Sequence, residues 1–382
     1  MRIIKIEFIK IVKSQFLWLL LVVFCAFNYC IIYSAVGNEY AAKELGIVHQ
    51  IMLKTDRKKI QTEKVNVKEM DKLYTVYQEY YNDNLHLYDN LDMKEILAKK
   101  KEMFGYQPVG FMQGFVENNY EKLQKRVEEI KSTKEYEYDF YPGNYYEIHS
   151  FLYSNLGKKL IVEMSLLMVF SLLFIMDYER IHKTRDIVIC SKAGKETMKY
   201  KILTGALCGT AFSIILCAIT FIRFFSCVSF DGLWNVPIAS TMVAEKRYPN
   251  FFYPFVTFWN VTEIQYFILS IITYLGILVL VTLFTIAMQL MIQNSYFSFA
   301  FLSIASMGML LFASYSNGTF WDLIMHVINP VCLYITSGGW FMENDIILSF
   351  AANEFWILGV SAVWIMVLVF CGNRRYSKSE IN

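Results

Sequence analysis

Six segments of this 382-residue chain are long and apolar enough to cross a membrane as helices. A helix needs about 20 consecutive, mainly apolar residues to cross the hydrocarbon core of a bilayer. The segments cover residues 16–36, 160–176, 202–222, 263–291, 296–315 and 353–371. Because lipid offers no partner for backbone polar groups, a helix must satisfy them within each segment. We therefore predict an all-α polytopic membrane protein with six transmembrane helices.

Basic residues predict the orientation of these spans. Lysine and arginine cluster in residues 1–15, 177–201 and 373–382, whereas residues 316–352 contain neither. Short segments rich in lysine and arginine remain in the cytoplasm. The pattern predicts that both termini and residues 177–201 are cytoplasmic, and that residues 223–262 and 316–352 form outer loops.

Residues 37–158 form a charged insertion between the first and second spans. Residues 37–155 carry 17 Lys or Arg and 20 Asp or Glu, more than half of the charged residues of the chain. Apolar and aromatic residues three and four apart predict helices, and the breakers Gly105, Pro108 and Gly110 predict a turn between them. We expect an extracytoplasmic helical hairpin. Its tyrosine-rich faces are either its own core or a docking surface for a peptide or partner.

The first 15 residues have the pattern of an amphipathic helix. Ile3, Ile4, Phe8 and Ile11 share one face, and lysines occupy the other. This distribution is typical of a helix that lies on the inner leaflet before the first span. A frayed basic terminus is the alternative.

The stretch "CSKAGKETMKYK" at residues 190–201 contains the Gly-Lys pair of a phosphate-binding loop. That loop also needs a glycine five residues before the second glycine and a Ser or Thr after the lysine. Ile189 and Glu196 occupy those positions, and a carboxylate beside phosphate is repulsive. We predict that this chain binds no nucleotide.

Six residues within or beside the spans are candidates for a substrate path or outer gate. They are Asn28, Glu163, Glu263, Asp322, His326 and Pro330. Ionisable groups in a membrane are costly to bury and are therefore often functional. For Glu163 and Glu263 the alternative is shallow depth, from which each side chain reaches the interface. For Asp322 and His326, four residues apart, the alternatives are a proton-linked pair and an ordinary polar contact.

The two outer loops are apolar, aromatic and interrupted by proline, and Pro330 interrupts the second. Irregular backbone survives at membrane depth where protein or water satisfies it. The loops are therefore predicted to form interfacial or re-entrant helical hairpins.

Cysteines and histidines give no sign of a metal or catalytic site. None of the eight cysteines lies in the insertion, no Cys-x-x-Cys occurs, and no histidine pair has metal-ligand spacing beside a carboxylate. We expect no cofactor in this chain and no enzymatic residues. A disulfide between Cys227 and Cys332 stays open, since both fall on the outer side.

This arrangement resembles the membrane permease subunits of type 2 ABC exporters. The likeness rests on the basic amphipathic start, the six spans, the apolar hairpin before the last span, and "DYERIHKTRDIVICSKAGKETMKYKIL" between spans two and three. In that segment Asp177 and Glu179 supply the acidic end of span two. The likeness covers roughly residues 1–36 and 159–375. Ala193 departs from the proline that often precedes the glycine, and the large insertion resembles Gram-positive members that handle peptides or cell-envelope compounds.

The resemblance implies that residues 177–201 form a coupling helix that docks in a groove of a separate ATP-binding subunit. An apolar patch, a charged rim and a glycine bend are expected to make this contact: Glu179, Arg180, Lys183, Arg185, Asp186, Ile187, Val188, Ile189, Gly194 and Lys195. Two copies of that subunit are expected to bind ATP and Mg²⁺. A second permease chain, identical or diverged, is expected to complete the assembly, with lipid and no nucleic acid as a partner.

The resulting hypothesis is a subunit of a bacterial plasma-membrane exporter that moves an amphipathic peptide, an antimicrobial or a lipid-like substrate. ATP hydrolysis is expected in the partner subunit. The alternative is a non-transporting membrane sensor or scaffold whose extracytoplasmic domain binds a ligand.

Overall fold

The computed structural model describes residues 2–37, 86, 88–137, 148–184, 187–188, 194–228, 230, 233–241, 253–313 and 317–379. Helices make up most of this part, and its β-structure consists of isolated bridges between loop residues. The helices are α1 (Arg2–Val12), α2 (Gln15–Ile32), α3 (Met93–Phe104), α4 (Phe111–Thr133), α5 (Gly157–Met176), α6 (Tyr178–Ile181), α7 (Gly194–Cys227), α8 (Ile238–Thr241), α9 (Glu263–Ile292), α10 (Ser295–Ala313), α11 (Phe320–Ile328), α12 (Val331–Ile335) and α13 (Asn353–Ser379).

Six helices in the described part have the length and composition to cross a membrane, which confirms the predicted number of spans. They are α2, α5, α7, α9, α10 and α13. Helical structure starts at residue 148 before α5, through a π-helical turn at Phe151–Leu156, so the second span is longer than its apolar sequence indicated. The chain is therefore a multi-pass membrane protein.

Helix α5 is the centre of the bundle and packs against both α7 and α9, and α9 packs along α13. Two small residues let α7 approach α5 closely. An added Cβ at Gly205 would lie 2.9 Å from a methyl group of Ile175, and one at Gly209 would lie 2.7 Å from the sulfur of Met168. Small residues four apart allow membrane helices to pack at short range.

The insertion contains the predicted helical hairpin, made by α3 and α4. Lys94 pairs with Glu121, and Lys101 pairs with Glu117 nearer the turn, so the two helices run antiparallel. The turn uses Gly105 with φ 61° to end α3, a left-handed conformation that glycine adopts at low cost.

The hairpin shares one hydrophobic core with both loops at its end of the bundle. Met112, Val116 and Tyr120 of α4 pack in a cluster with residues from the loop after α7 and the loop before α13. From the loops this cluster includes Ala239, Tyr253, Val256, Ile346 and Ile347. The insertion is therefore packed as a continuation of the bundle end.

The loop between α10 and α13 contains two short helices, α11 and α12, which are separated by a break. The break falls at Asn329 and Pro330, where the Asn329 amide donates to the Met309 carbonyl of α10 at 2.7 Å. The Ile328 carbonyl accepts from Ser361 Oγ at 3.0 Å and from Trp364 Nε1 at 3.1 Å. Ser361 lies about 12 Å along α13 from its first residue, at about 1.5 Å per residue. Protein groups of α10 and α13 thus satisfy the backbone at the break.

The close approach of α5 and α7 gives a test. We expect Gly205→Val and Gly209→Val each to reduce the free energy of unfolding by about 1–3 kcal/mol, because the new side chains overpack the contact. Denaturant unfolding in detergent micelles measures this. Gly308→Val is the matched control, because a Cβ at Gly308 meets nothing within 4 Å. Equal losses in all three variants would contradict the assigned contact.

Candidate functional site

Charged residues from α1, α6, α7 and the end of α5 meet at the end of the bundle where α7 begins. We call this group the basal network: Glu7, Lys10, Asp177, Glu179, Arg180 and Lys201. Lys10 Nζ lies 2.9 Å from Glu7 and 2.8 Å from Glu179, and Glu179 also pairs with Lys201. Glu7, Glu179 and Lys201 are buried. Three acids and three bases balance each other, so the network is neutral.

Asp177 ties the basal network to a further span. Its carboxylate accepts from Arg180 Nε at 2.6 Å, and from the hydroxyl and backbone N–H of Ser295 at 2.6 and 3.1 Å. The hydrogen bond that Arg180 donates to the Asp177 carboxylate raises the pKa of Arg180, whose guanidinium stays charged. Because Ser295 begins α10, the network joins four parts of the bundle.

The structure corrects two of the expected docking residues. Glu179 is buried in the basal network and Arg180 is half-buried against Asp177, so neither forms an open charged rim. The cause is the chain reversal after α5, which turns the α6 carboxylate towards the lysines of α1 and α7.

The exposed part of this segment lies just beyond the basal network. Ile181, Lys183 and Ile187 are exposed, with Ile187 at 74% of its maximum, and Val188 is half-buried. Gly194 and Lys195 form the first turn of α7, of which the structure describes the backbone. Arg185, Asp186 and Ile189 lie outside the described residues.

A buried polar cluster joins the first three spans. Asn28 Nδ2 of α2 donates to Glu163 of α5 at 2.6 Å and to Thr220 Oγ1 of α7 at 3.2 Å. Asn28 is 1% and Glu163 5% exposed. Glu163 therefore lies between three spans and does not reach an interface, because helical structure begins at residue 148, earlier than predicted.

Glu263 is also buried rather than exposed at an interface. It accepts from Tyr153 Oη at 2.9 Å, and its other oxygen lies 3.6 Å from His149 Nδ1. His149, Tyr153 and Tyr266 pack their rings together around this carboxylate. The helical turns before α5 bring His149 to Glu263, which sequence spacing did not indicate.

Asp322 and His326 do not form a side-chain pair. The Asp322 carboxylate accepts from the backbone N–H groups of Asn317 and Thr319 at 2.9 and 2.8 Å, and so caps α11. His326 Nδ1 lies 2.7 Å from the Asp322 carbonyl oxygen. Of the two alternatives, the structure shows the ordinary polar contact, because the Asp322 carboxylate already accepts the hydrogen bonds that cap α11.

At the opposite end from the basal network, a wholly buried ion pair joins the insertion to the loop before α13. Lys100 of α3 pairs with Glu343, and neither side chain is exposed. The hydroxyls of Tyr120 and Tyr253 donate to Glu343 at 2.8 and 3.0 Å. Burial raises the pKa of Tyr120, as does the Glu343 charge, so its phenol remains a donor. We call this group the apical lock.

A second buried ion pair lies within the insertion, and its arginine also contacts the loop before α9. Arg126 of α4 donates to both oxygens of Glu135, at 2.9 and 2.6 Å, and to the Thr257 carbonyl at 3.2 Å. No local pattern indicated these contacts, because Lys100 and Glu343 lie 243 residues apart and Arg126 and Thr257 lie 131 residues apart. The high lysine and tyrosine content of the insertion was the strongest indication of such contacts.

Among the residues that the structure describes, no three His, Cys, Asp or Glu side chains come together as a metal site. Cys227 and Cys332 are both free thiols. No protein family, curated protein or solved structure matches this chain.

The apical lock gives a second test. We expect Lys100→Met to reduce the free energy of unfolding by about 3–5 kcal/mol, because Glu343 is left buried without a countercharge. Lys100→Met/Glu343→Met should recover most of this loss, as paired apolar replacements of buried ion pairs do. The control is Lys99→Met on the exposed side of the same helix, with an effect of about 0.5 kcal/mol or less. A small effect of Lys100→Met in micelle unfolding would refute the lock.

The basal network gives a third test. Glu179→Gln removes the charge shared by Lys10 and Lys201 and keeps the side-chain shape. We expect a loss on the order of 3 kcal/mol in the same unfolding measurement. Lys183→Gln, four residues on and exposed, is expected to change stability by about 0.5 kcal/mol or less. If the two variants behave alike, Glu179 does not hold the network together.

Proposed function

We propose that this chain is the membrane subunit of an ATP-driven exporter, similar to the permeases of type 2 ABC exporters. The observation that carries the proposal is the exposed segment around Lys183 and Ile187, attached to the basal network. Exposed apolar residues rimmed by charge are typical of protein interfaces. The basic residues of this segment favour the cytoplasmic side, where an ATP-binding subunit would dock.

The basal network supports this role mechanically. A partner that moves residues 181–188 also moves α6 and Asp177, which precedes it. The contacts of Asp177 and Glu179 reach α1, α7 and α10. Packed elements of this kind move as units between discrete arrangements. Movement of the docked segment would therefore be transmitted to several spans together.

A cavity within the spans supports an apolar or amphipathic substrate. It measures about 460 Å³ and is lined by α5, α9, α10 and α13, with Pro330 and Tyr334 of the loop between α10 and α13 beside it. This volume falls in the usual range of ligand pockets, about 300–1,000 Å³. The described lining residues carry no charged side chain. Such a lining suits a lipid-like chain or the apolar face of a peptide.

The proposal is tested by purifying the chain in mild detergent from membranes of its own cell and measuring ATP hydrolysis of the complex. We expect an ABC-type ATP-binding subunit, identified by mass spectrometry, in a stoichiometric amount. Lys183→Glu/Ile187→Asp should remove this subunit and the associated ATP hydrolysis, because both side chains are exposed in the docking segment.

Lys99→Glu is the matched control, since it reverses an exposed charge at the other end of the molecule, and it should keep the subunit bound. Both variants should retain the melting temperature of the unmodified chain. A stable chain without any ATPase partner would overturn the proposal and favour the non-transporting sensor or scaffold.

A further inference from the structure

The turn of the insertion hairpin exposes a group of apolar side chains. Phe104, Val109 and Phe111 are 58%, 59% and 62% exposed, and Trp321 in the first turn of α11 is 68% exposed. We call these four residues the turn patch. Large apolar patches on an exposed surface mark sites of interaction with another molecule or with a membrane.

The sequence around the turn is unlike the rest of the insertion. Residues 103–116 contain no charged residue, although more than half of the charge of the chain lies in residues 37–155. The exposed members of this stretch are not needed for the shared core, which is supplied by its buried members Tyr106, Met112 and Val116. The turn therefore exposes an uncharged apolar surface at positions where contact with water would favour lysine or glutamate.

The turn is fixed against the start of α11. Val109 N–H donates to the Gly318 carbonyl at 3.0 Å, and the Phe111 ring packs edge-to-face on Phe320 with centroids 5.3 Å apart. A Cβ at Gly318 would lie 2.2 Å from the Gln107 carbonyl oxygen, so the two segments touch through their backbones. The hairpin turn therefore lies at the same height along the spans as the first turn of α11.

Helix α11 relates that height to the α13 span. Its last carbonyl, at Ile328, is bonded to Ser361 and Trp364 within the α13 span. Its nine residues cover about 12 Å at about 1.5 Å per residue. Phe320 and Trp321 therefore lie within one short helix length of membrane-embedded protein. Aromatic side chains are enriched at this boundary between hydrocarbon and water.

Other apolar side chains close in sequence to the turn patch are exposed at the end of the α10 span and on α11. Leu311 and Phe312, at the end of α10, are exposed, and so are Trp321 and Met325 on α11. We propose that the turn patch inserts into the interface of the lipid bilayer, so that the insertion rests on the membrane at its hairpin turn. This inference requires neither transport nor an ATP-binding partner. In this proposal lipid covers the turn patch, and a protein partner does not.

Nitroxide accessibility in liposomes tests the proposal with the full-length chain. Single cysteines at Phe104 and Val109, in a variant lacking the eight native cysteines, are spin-labelled and reconstituted. Collision with oxygen, which concentrates in lipid, is compared with collision with a water-soluble nickel chelate. We expect a several-fold higher oxygen-to-nickel ratio at these two sites than at Lys94 and Glu121. These controls are exposed residues on the same two helices, away from the turn.

Two results would overturn the proposal. Oxygen-to-nickel ratios at Phe104 and Val109 equal to those of the controls would show that the turn lies in water. Low accessibility to both reagents would show that protein, such as a second copy of the chain, covers the patch.

A variant supplies an independent measurement. Phe104→Asp/Val109→Asp introduces charge at two exposed positions without disturbing the buried core. The oxygen-to-nickel ratio of a label at exposed Gln107 should fall to the control value, while the melting temperature in detergent stays unchanged. An unchanged ratio at Gln107 would contradict membrane insertion by the patch.

Discussion

A carboxylate or ammonium group removed from water loses several kcal/mol of solvation unless a countercharge and hydrogen bonds replace it. This constraint organises both ends of the molecule. Glu179 is shared by two lysines from different helices, and Glu343 is held by one lysine and two tyrosine hydroxyls. Each group gathers elements that are distant in the chain, because a single element cannot satisfy the charge it buries.

The two ends differ in what they bring together. The basal network links helices of the bundle and leaves a neighbouring segment exposed, which suits a site where a partner acts on the spans. The apical lock and the Arg126–Glu135 pair join the insertion to both loops at the other end. The insertion and the two loops are therefore packed together at that end of the bundle.

Sequence reasoning was most successful where the signal is local. The length of the apolar segments predicted six spans, and Gly105 and Pro108 predicted the hairpin turn, since helix periodicity and backbone preference act over a few residues. It could not choose between the two alternatives for Glu163, whose burial depended on a helix start hidden in a less apolar sequence. For Asp322 it left two alternatives open, of which the structure shows the ordinary polar contact, because an acid four residues before a histidine can cap its own helix.

The sequence by itself determined that the chain is an α-helical, multi-pass membrane protein with a helical hairpin in its charged insertion. Hydrophobic length and turn chemistry are sufficient for that. The tertiary structure decided which charges are buried together: Glu179 with Lys10 and Lys201, and Lys100 with Glu343. It also decided that Ile187 and the hairpin turn remain exposed. Partners as much as 243 residues apart are chosen by the packing of whole helices, and no local pattern records that choice.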